Sequence, residues 1–207
     1  FEKGKVTYYT DFLNKWTCDD FYTANSKMEI TLGQGSKTYT YNPFDAPQFP
    51  GGLSTNFGGP TYENKPFERR DIITVYTPYF EEDTLVKGKM GAKLSVSSDC
   101  EDTCFYIRTS IEKTGGDFGL RDDIKTLCHE MGDYKPNTEV ELQFTFDDHS
   151  FLIKKGERLR IDISSANAFS YVRHTNQKGL FSEQTTAQIA RNTVYLDKSK
   201  IILPIEK

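Results

Sequence analysis

The chain has 207 residues, 27% of them charged and 36% hydrophobic, and its 26 Lys and Arg against 30 Asp and Glu leave a formal net charge of −4. This balance lacks the basic excess of a nucleic-acid-binding domain, and no run approaches the roughly 20 apolar residues of a membrane helix. A soluble chain of this length buries a core without needing disulfides or metals, so a single domain over residues 1–207 is expected. Aromatic residues make up 14%, with 15 Phe and 12 Tyr, and 15 Gly and 8 Pro punctuate them; that mixture favours pleated sheet.

In chain order, residues 5–9, 28–32 and 38–41 read as strands, the last two separated by the turn Gly33-Gln34-Gly35. Residues 42–70 follow, rich in Pro and Gly and without periodicity. A stretch of that length in a compact domain is usually functional or packed on a neighbour. Strands are expected next at 72–76, 89–97, 105–112 and 124–129, then at 139–146 and 158–163. Val140, Leu142, Phe144 and Phe146 alternate with Glu139, Glu141, Gln143 and Thr145, the period-two pattern of a strand with one wet face. Phe105, Ile107, Thr109 and Ile111 alternate in the same way with Tyr106, Arg108, Ser110 and Glu112, as do Leu159, Ile161 and Ile163 with Arg158, Arg160 and Asp162. Between them, Asp147-Asp148-His149-Ser150 reads as a turn. Residues 182–189 suit one or two helical turns begun by Ser182 as N-cap, and strands at 190–195 and 200–203 close the chain. Many short strands at near-regular spacing predict an all-β sandwich or jelly roll.

The chemistry-bearing residues are sparse. Cys100 and Cys104 lie four residues apart, about 13 Å on an extended strand, whereas a disulfide needs a Cα separation of about 4.4–6.8 Å; a bridge there requires a tight loop. Zinc held by Cys100, Cys104, Cys128 and His129 is the sharper alternative, but adjacent Cys128 and His129 on a strand face opposite ways and a second paired motif is missing. Buried free thiols, including Cys18, are the favoured reading. No G-x-S-x-G elbow is present, and His129, His149 and His174 lack metal-binding spacing. The acidic groups Glu81-Glu82-Asp83, Asp99–Asp102 and Asp122-Asp123 match no EF-hand and read as solvated turns. No catalytic residue, metal or cofactor is expected in this chain.

Six segments, in order, carry a family resemblance. Tyr39-Thr40-Tyr41-Asn42-Pro43-Phe44-Asp45-Ala46-Pro47, then Pro50-Gly51-Gly52, is similar to the Y-x-P-x-x-P…GG stretch of the X-Pro dipeptidyl-peptidase C-terminal domain, which also closes the CocE/NonD ester hydrolases. Asp71-Ile72-Ile73-Thr74-Val75-Tyr76-Thr77 and Glu82-Asp83-Thr84-Leu85-Val86-Lys87-Gly88 resemble its next two motifs. So do Leu94-Ser95-Val96-Ser97-Ser98-Asp99 with Asp102-Thr103-Cys104-Phe105, the run from Phe151 to Asn167, and Thr193-Val194-Tyr195 with Ile202-Leu203-Pro204-Ile205. Cys104 stands where the family often has Asp, His174 where it usually has Arg, and residues 115–121 diverge.

The resemblance implies a galactose-binding-like jelly roll and a partner: an N-terminal α/β-hydrolase domain of the same polypeptide carrying the Ser-Asp-His triad, which is not in this chain. It also implies that the segment after the double glycine, with Leu53, Asn56 and Phe57, helps wall that partner's substrate cleft. The corner Ser164-Ser165-Ala166-Asn167 is expected to be structural, its side chains bonding nearby backbone. A stand-alone carbohydrate-binding module is the alternative. An apolar docking patch would favour the first reading and an aromatic platform the second. Neither nucleic acid nor membrane is expected as a partner; self-association and compartment are left open, the first residues showing no apolar leader. Lacking an initiating Met, the chain is expected to be a piece of something longer.

Overall fold

The computed structural model describes residues 2–19, 24–51, 61–63, 68–168 and 170–206. β1 (Val6–Thr10) and β2 (Lys15–Asp19) form an antiparallel hairpin. One sheet is ordered β5-β10-β9-β13-β6, from β5 (Tyr62–Glu63), β6 (Ile73–Tyr76), β9 (Cys104–Ile111), β10 (Asp117–Thr126) and β13 (Leu159–Ser164). The other runs β11-β8-β14-β7-β12, from β7 (Thr84–Gly88), β8 (Gly91–Ser98), β11 (Val140–Thr145), β12 (His149–Ile153) and β14 (Ala190–Ile205). β3 (Ser26–Thr31) and β4 (Ser36–Tyr41) both pair with β14, β4 on its first half and β3 on its second. The strand pairings are antiparallel, and the inner faces share one apolar core that includes Leu94, Phe105, Ile107, Phe144, Phe151, Ile161 and Leu203. The expected all-β sandwich is the fold, and its topology is consistent with a jelly roll.

Several local expectations are corrected. Residues 190–195 and 200–203 belong to one strand, β14, whose register shifts between Tyr195 and Lys200. β10 starts at Asp117 and stops at Thr126, whose hydroxyl accepts the His129 N–H and caps the helix α1 (Leu127–Met131). Cys128 and His129 therefore sit on a helix instead of a strand. At 182–189 only a 3-10 turn, Phe181–Glu183, forms; Ser182 lies inside it and no side chain caps it.

The expected wet faces of β9 and β13 are also wrong: every residue of both strands is buried. Their outer face is covered by Phe49, Ile72 and Tyr171, which gather on Tyr106. Polar residues of these strands are thus enclosed and must satisfy one another. Arg160, fully buried, holds Asp117 Oδ2 at 2.9 Å and Asp162 Oδ2 at 2.8 Å, while Thr74 Oγ1 donates to Asp162 Oδ1 at 2.6 Å. Burial pushes the Asp162 carboxyl up, against the pull of Arg160.

His149 is no turn residue. It opens β12, buried, with Nε2 2.8 Å from Asp11 Oδ2, where the β1–β2 hairpin docks. Nδ1 is buried without a partner among the described residues, so the proton sits on Nε2 and donates to Asp11. Burial, and next the Arg121 charge, lower the His149 pKa below its ordinary 6.5 despite Asp11. A depressed histidine contributes stability above the unfolded pKa and loses it as pH falls through the folded one. From about pH 7.5 to about pH 5.5, the free energy of unfolding is therefore expected to drop further for the native chain than for His149→Gln. Equal losses in urea titrations would contradict this.

Candidate functional site

The chain leaves β4 through Asn42, whose Oδ1 accepts the Phe44 N–H at 3.1 Å and caps the 3-10 turn Pro43–Asp45. Arg69 braces that turn, donating to Asp45 O at 2.6 Å and to both Asp71 carboxylate oxygens. Phe49 then plugs onto Tyr106 with ring centroids 5.0 Å apart, under the Arg108 guanidinium. The Phe49 N–H donates to Asn167 Oδ1 at 3.1 Å, and Arg108 Nη1 donates to Pro50 O at 2.6 Å. Gly51, at φ 76, turns the chain away in a conformation that favours glycine. Leu53, Asn56 and Phe57 lie outside the described residues.

The return is fixed as firmly. Gly119 N donates to Thr61 O at 3.0 Å, and β5 pairs with β10, Tyr62 opposite Phe118. Tyr62 and Phe118 meet edge to face at 5.0 Å, and Phe118 meets Phe12 at 4.9 Å. Entry and exit of the segment after the double glycine are thus both tied to the β9–β10 pair. Tyr106 sits beneath, donating to Asp122 Oδ2 at 2.9 Å and accepting from Asn167 Nδ2 at 3.3 Å; burial drives its phenol well up. Gly119 allows this closeness, because a Cβ there would collide with the Arg108 guanidinium. Arg108 is itself buried and committed to Pro50. Gly119→Ala is expected to cost about 1–3 kcal/mol, as overpacking does, read as a lower thermal midpoint; an unchanged midpoint would show that Arg108 is free to move.

The acidic groups expected as solvated turns are partly internal. Asp122 and Asp123 lie within β10, and the buried Asp102 accepts the N–H groups of Thr103 and Cys128, each at 2.9 Å. His174 faces it, Nε2 3.4 Å from Asp102 Oδ2, with Nδ1 accepting the Asn176 N–H. All four cysteines are free, but only Cys100 and Cys104 are buried as expected, Cys18 and Cys128 being partly exposed; among the described residues no three His, Cys, Asp or Glu side chains converge to hold a metal. Burial pushes the Cys100 thiol up to about 11 and Cys104 higher still, so both stay protonated and poorly nucleophilic.

One surface went unmarked by the sequence patterns. Val172, Leu180, Phe181 and Ile189 are exposed on a segment that folds on itself through Gln188 N to Thr175 O at 2.8 Å and Asn176 Nδ2 to Gln188 O at 2.7 Å. Large apolar side chains left exposed on one folded-back segment suit a contact surface. No periodicity flags it, because the residues are presented by an irregular loop.

Residues 6–200 match the family model of the X-Pro dipeptidyl-peptidase C-terminal non-catalytic domain. The chain belongs to this family. It is similar to cocaine esterase of Rhodococcus sp. (strain MB1 Bresler), 26% identical over 194 residues, which cover 86% of this chain and 33% of that protein. Among solved structures the domain resembles an aminopeptidase from a marine sediment archaeon, Thaumarchaeota archaeon, with TM-score 0.82 and 15% identity over 98% of this chain and 40% of that one. It also resembles an α-amino acid ester hydrolase, with TM-score 0.81 and 15% identity over 97% of this chain and 41% of that one. A CocE/NonD family hydrolase from Staphylococcus aureus shares the fold at TM-score 0.65 and 13% identity, over 98% and 41%. The domain thus spans about a third of this relative's length and two fifths of these solved chains.

Proposed function

We infer that this domain serves a serine hydrolase acting on Xaa-Pro peptides or short esters, packing on an N-terminal α/β-hydrolase domain of the same polypeptide and lending Leu53, Asn56 and Phe57 to its substrate cleft. The observation that carries this reading is the double anchoring of the segment after Gly51, through Arg108 and Asn167 at its start and through Gly119 at its end. A wall residue must be held rigidly to select substrates, and this framework holds both stems. The exposed apolar side chains of Val172, Leu180, Phe181 and Ile189 suit the domain contact. The partner would supply nucleophile, base and oxyanion hole; this domain supplies shape.

The test is kinetic, on the whole polypeptide. Phe57→Ala is expected to change kcat/KM unequally across Xaa-Pro amides and short esters, the signature of altered fit. Equal kcat/KM with the unsubstituted enzyme on every substrate would remove Phe57 from the cleft. A second reading, a glycan-binding module, draws on an open cavity of about 490 Å³ whose wall includes Tyr62, Phe118 and Asn14. Saccharide binding lost on Tyr62→Ala would favour it.

A further inference from the structure

We propose that the open side of the sandwich beside β3 is a docking groove for an extended, cationic segment of a partner polypeptide, which adds to β3 as a further strand. The reading stands apart from the cleft-wall role, since it uses other residues on another edge.

β3 pairs with β14 alone among the described strands. Leu32 N donates to Ser199 O at 2.9 Å. In an antiparallel ladder the bonding direction alternates residue by residue. Ile30 and Met28 therefore also direct their backbone groups to β14, while Thr31, Glu29 and Lys27 direct N–H and C=O outward. All three outward residues are exposed. This is a free edge of the kind that accepts a strand.

Facing that edge is the chain that continues β6, the last strand of the other sheet. Thr77 N bonds to Leu159 O, and Phe80 N to Glu157 O, each at 2.9 Å, so residues 77–80 extend that sheet's border. Between the two borders lies a cavity of about 650 Å³ lined by Met28, Ile30, Tyr79, Phe80, Glu81 and Glu82, among others. Met28 and Ile30 also pack on the core, so the groove has an apolar floor continuous with it. Tyr79 is exposed, its ring under the Arg158 guanidinium at 4.7 Å.

The charge decides the occupant. Glu81 and Glu82 line the groove and are exposed, and no cation among the described residues pairs with either; on the facing edge Glu29 is held by Lys200 at 2.6 Å and Lys27 is exposed. A rim that is acidic on the Glu81–Glu82 side, over an apolar floor, matches a strand whose residues alternate between β-branched and basic. A strand of acidic alternation would meet repulsion.

The test titrates this chain with a short capped peptide alternating lysine and valine, followed by calorimetry and by amide hydrogen exchange. The expected result is saturable binding, with slowed exchange at Lys27, Glu29 and Thr31. Glu81→Lys/Glu82→Lys is expected to weaken it by about tenfold at low salt, and Glu81→Gln/Glu82→Gln by less. The reversal Glu101→Lys/Glu183→Lys, at exposed sites elsewhere, should leave most of the affinity. Thermal unfolding confirms that the variants fold, as substitutions at exposed positions should allow. Equal weakening by both reversals, protection away from β3, equal binding of a peptide alternating glutamate and valine, pairing of two copies through β3, or no binding would each overturn the proposal.

Discussion

Asp162→Ala is expected to lower the free energy of unfolding by about 3–5 kcal/mol, the usual cost of breaking a buried ion pair by removing one partner. The loss comes less from the missing contact than from what remains. Arg160 is fully enclosed between β9 and β6, and its guanidinium depends on Asp162 and Asp117 for compensation. Asp162 accepts Arg160 Nε at 3.1 Å as well as the Thr74 hydroxyl, so its removal strands two donors. Urea denaturation measures the effect. Replacing the set together, with Arg160→Met, Asp162→Leu and Asp117→Leu, should cost far less than Asp162→Ala alone, because Arg160 and both of its described carboxylate partners then go together. A triple variant less stable than the single one would mean that the network holds the strands in register and does not merely compensate its own burial.

The second large effect is expected at Asn167. Asn167→Ala removes the acceptor for Phe49 N–H and the donor to Tyr106 Oη, all buried. A buried polar group that loses its partner costs about 1–3 kcal/mol; the Phe49 N–H loses this acceptor while Tyr106 Oη keeps its bond to Asp122, so a loss of about 1–3 kcal/mol is expected. Asn167→Asp keeps the acceptor for Phe49 and should retain part of the stability. The change belongs in the unfolding midpoint. An unchanged midpoint would deny the corner its structural role.

These two sites show what the sequence made legible. The segments that carry the family resemblance include residues that the fold spends on architecture: Asn42 caps the turn after β4, Asp102 accepts two backbone N–H groups, and Asn167 ties Phe49 to Tyr106. Apolar alternation located β11 and the inner faces of β9 and β13. It could not show that their other faces are covered, since that depends on Phe49 and Tyr171, which come from irregular segments distant in sequence. β2, β7 and β12 were missed for related reasons. β7 and β12 hold consecutive buried residues where alternation was sought, and β2 is an outlying strand with little apolar pattern. The cap at Thr126 turned an apparent strand into a helix over residues whose side chains gave no sign of it. Of the candidate site, both stems are described and Leu53, Asn56 and Phe57 are not.

The most direct measurement is the intact mass of the native polypeptide that carries this 23.7 kDa domain, taken from its source cells. The account predicts a far longer chain, of which this domain forms a third to two fifths, as it spans 33% of cocaine esterase and 40% to 41% of the solved relatives. A native protein of about the mass of this domain would have no hydrolase domain to serve, and would contradict the proposed role.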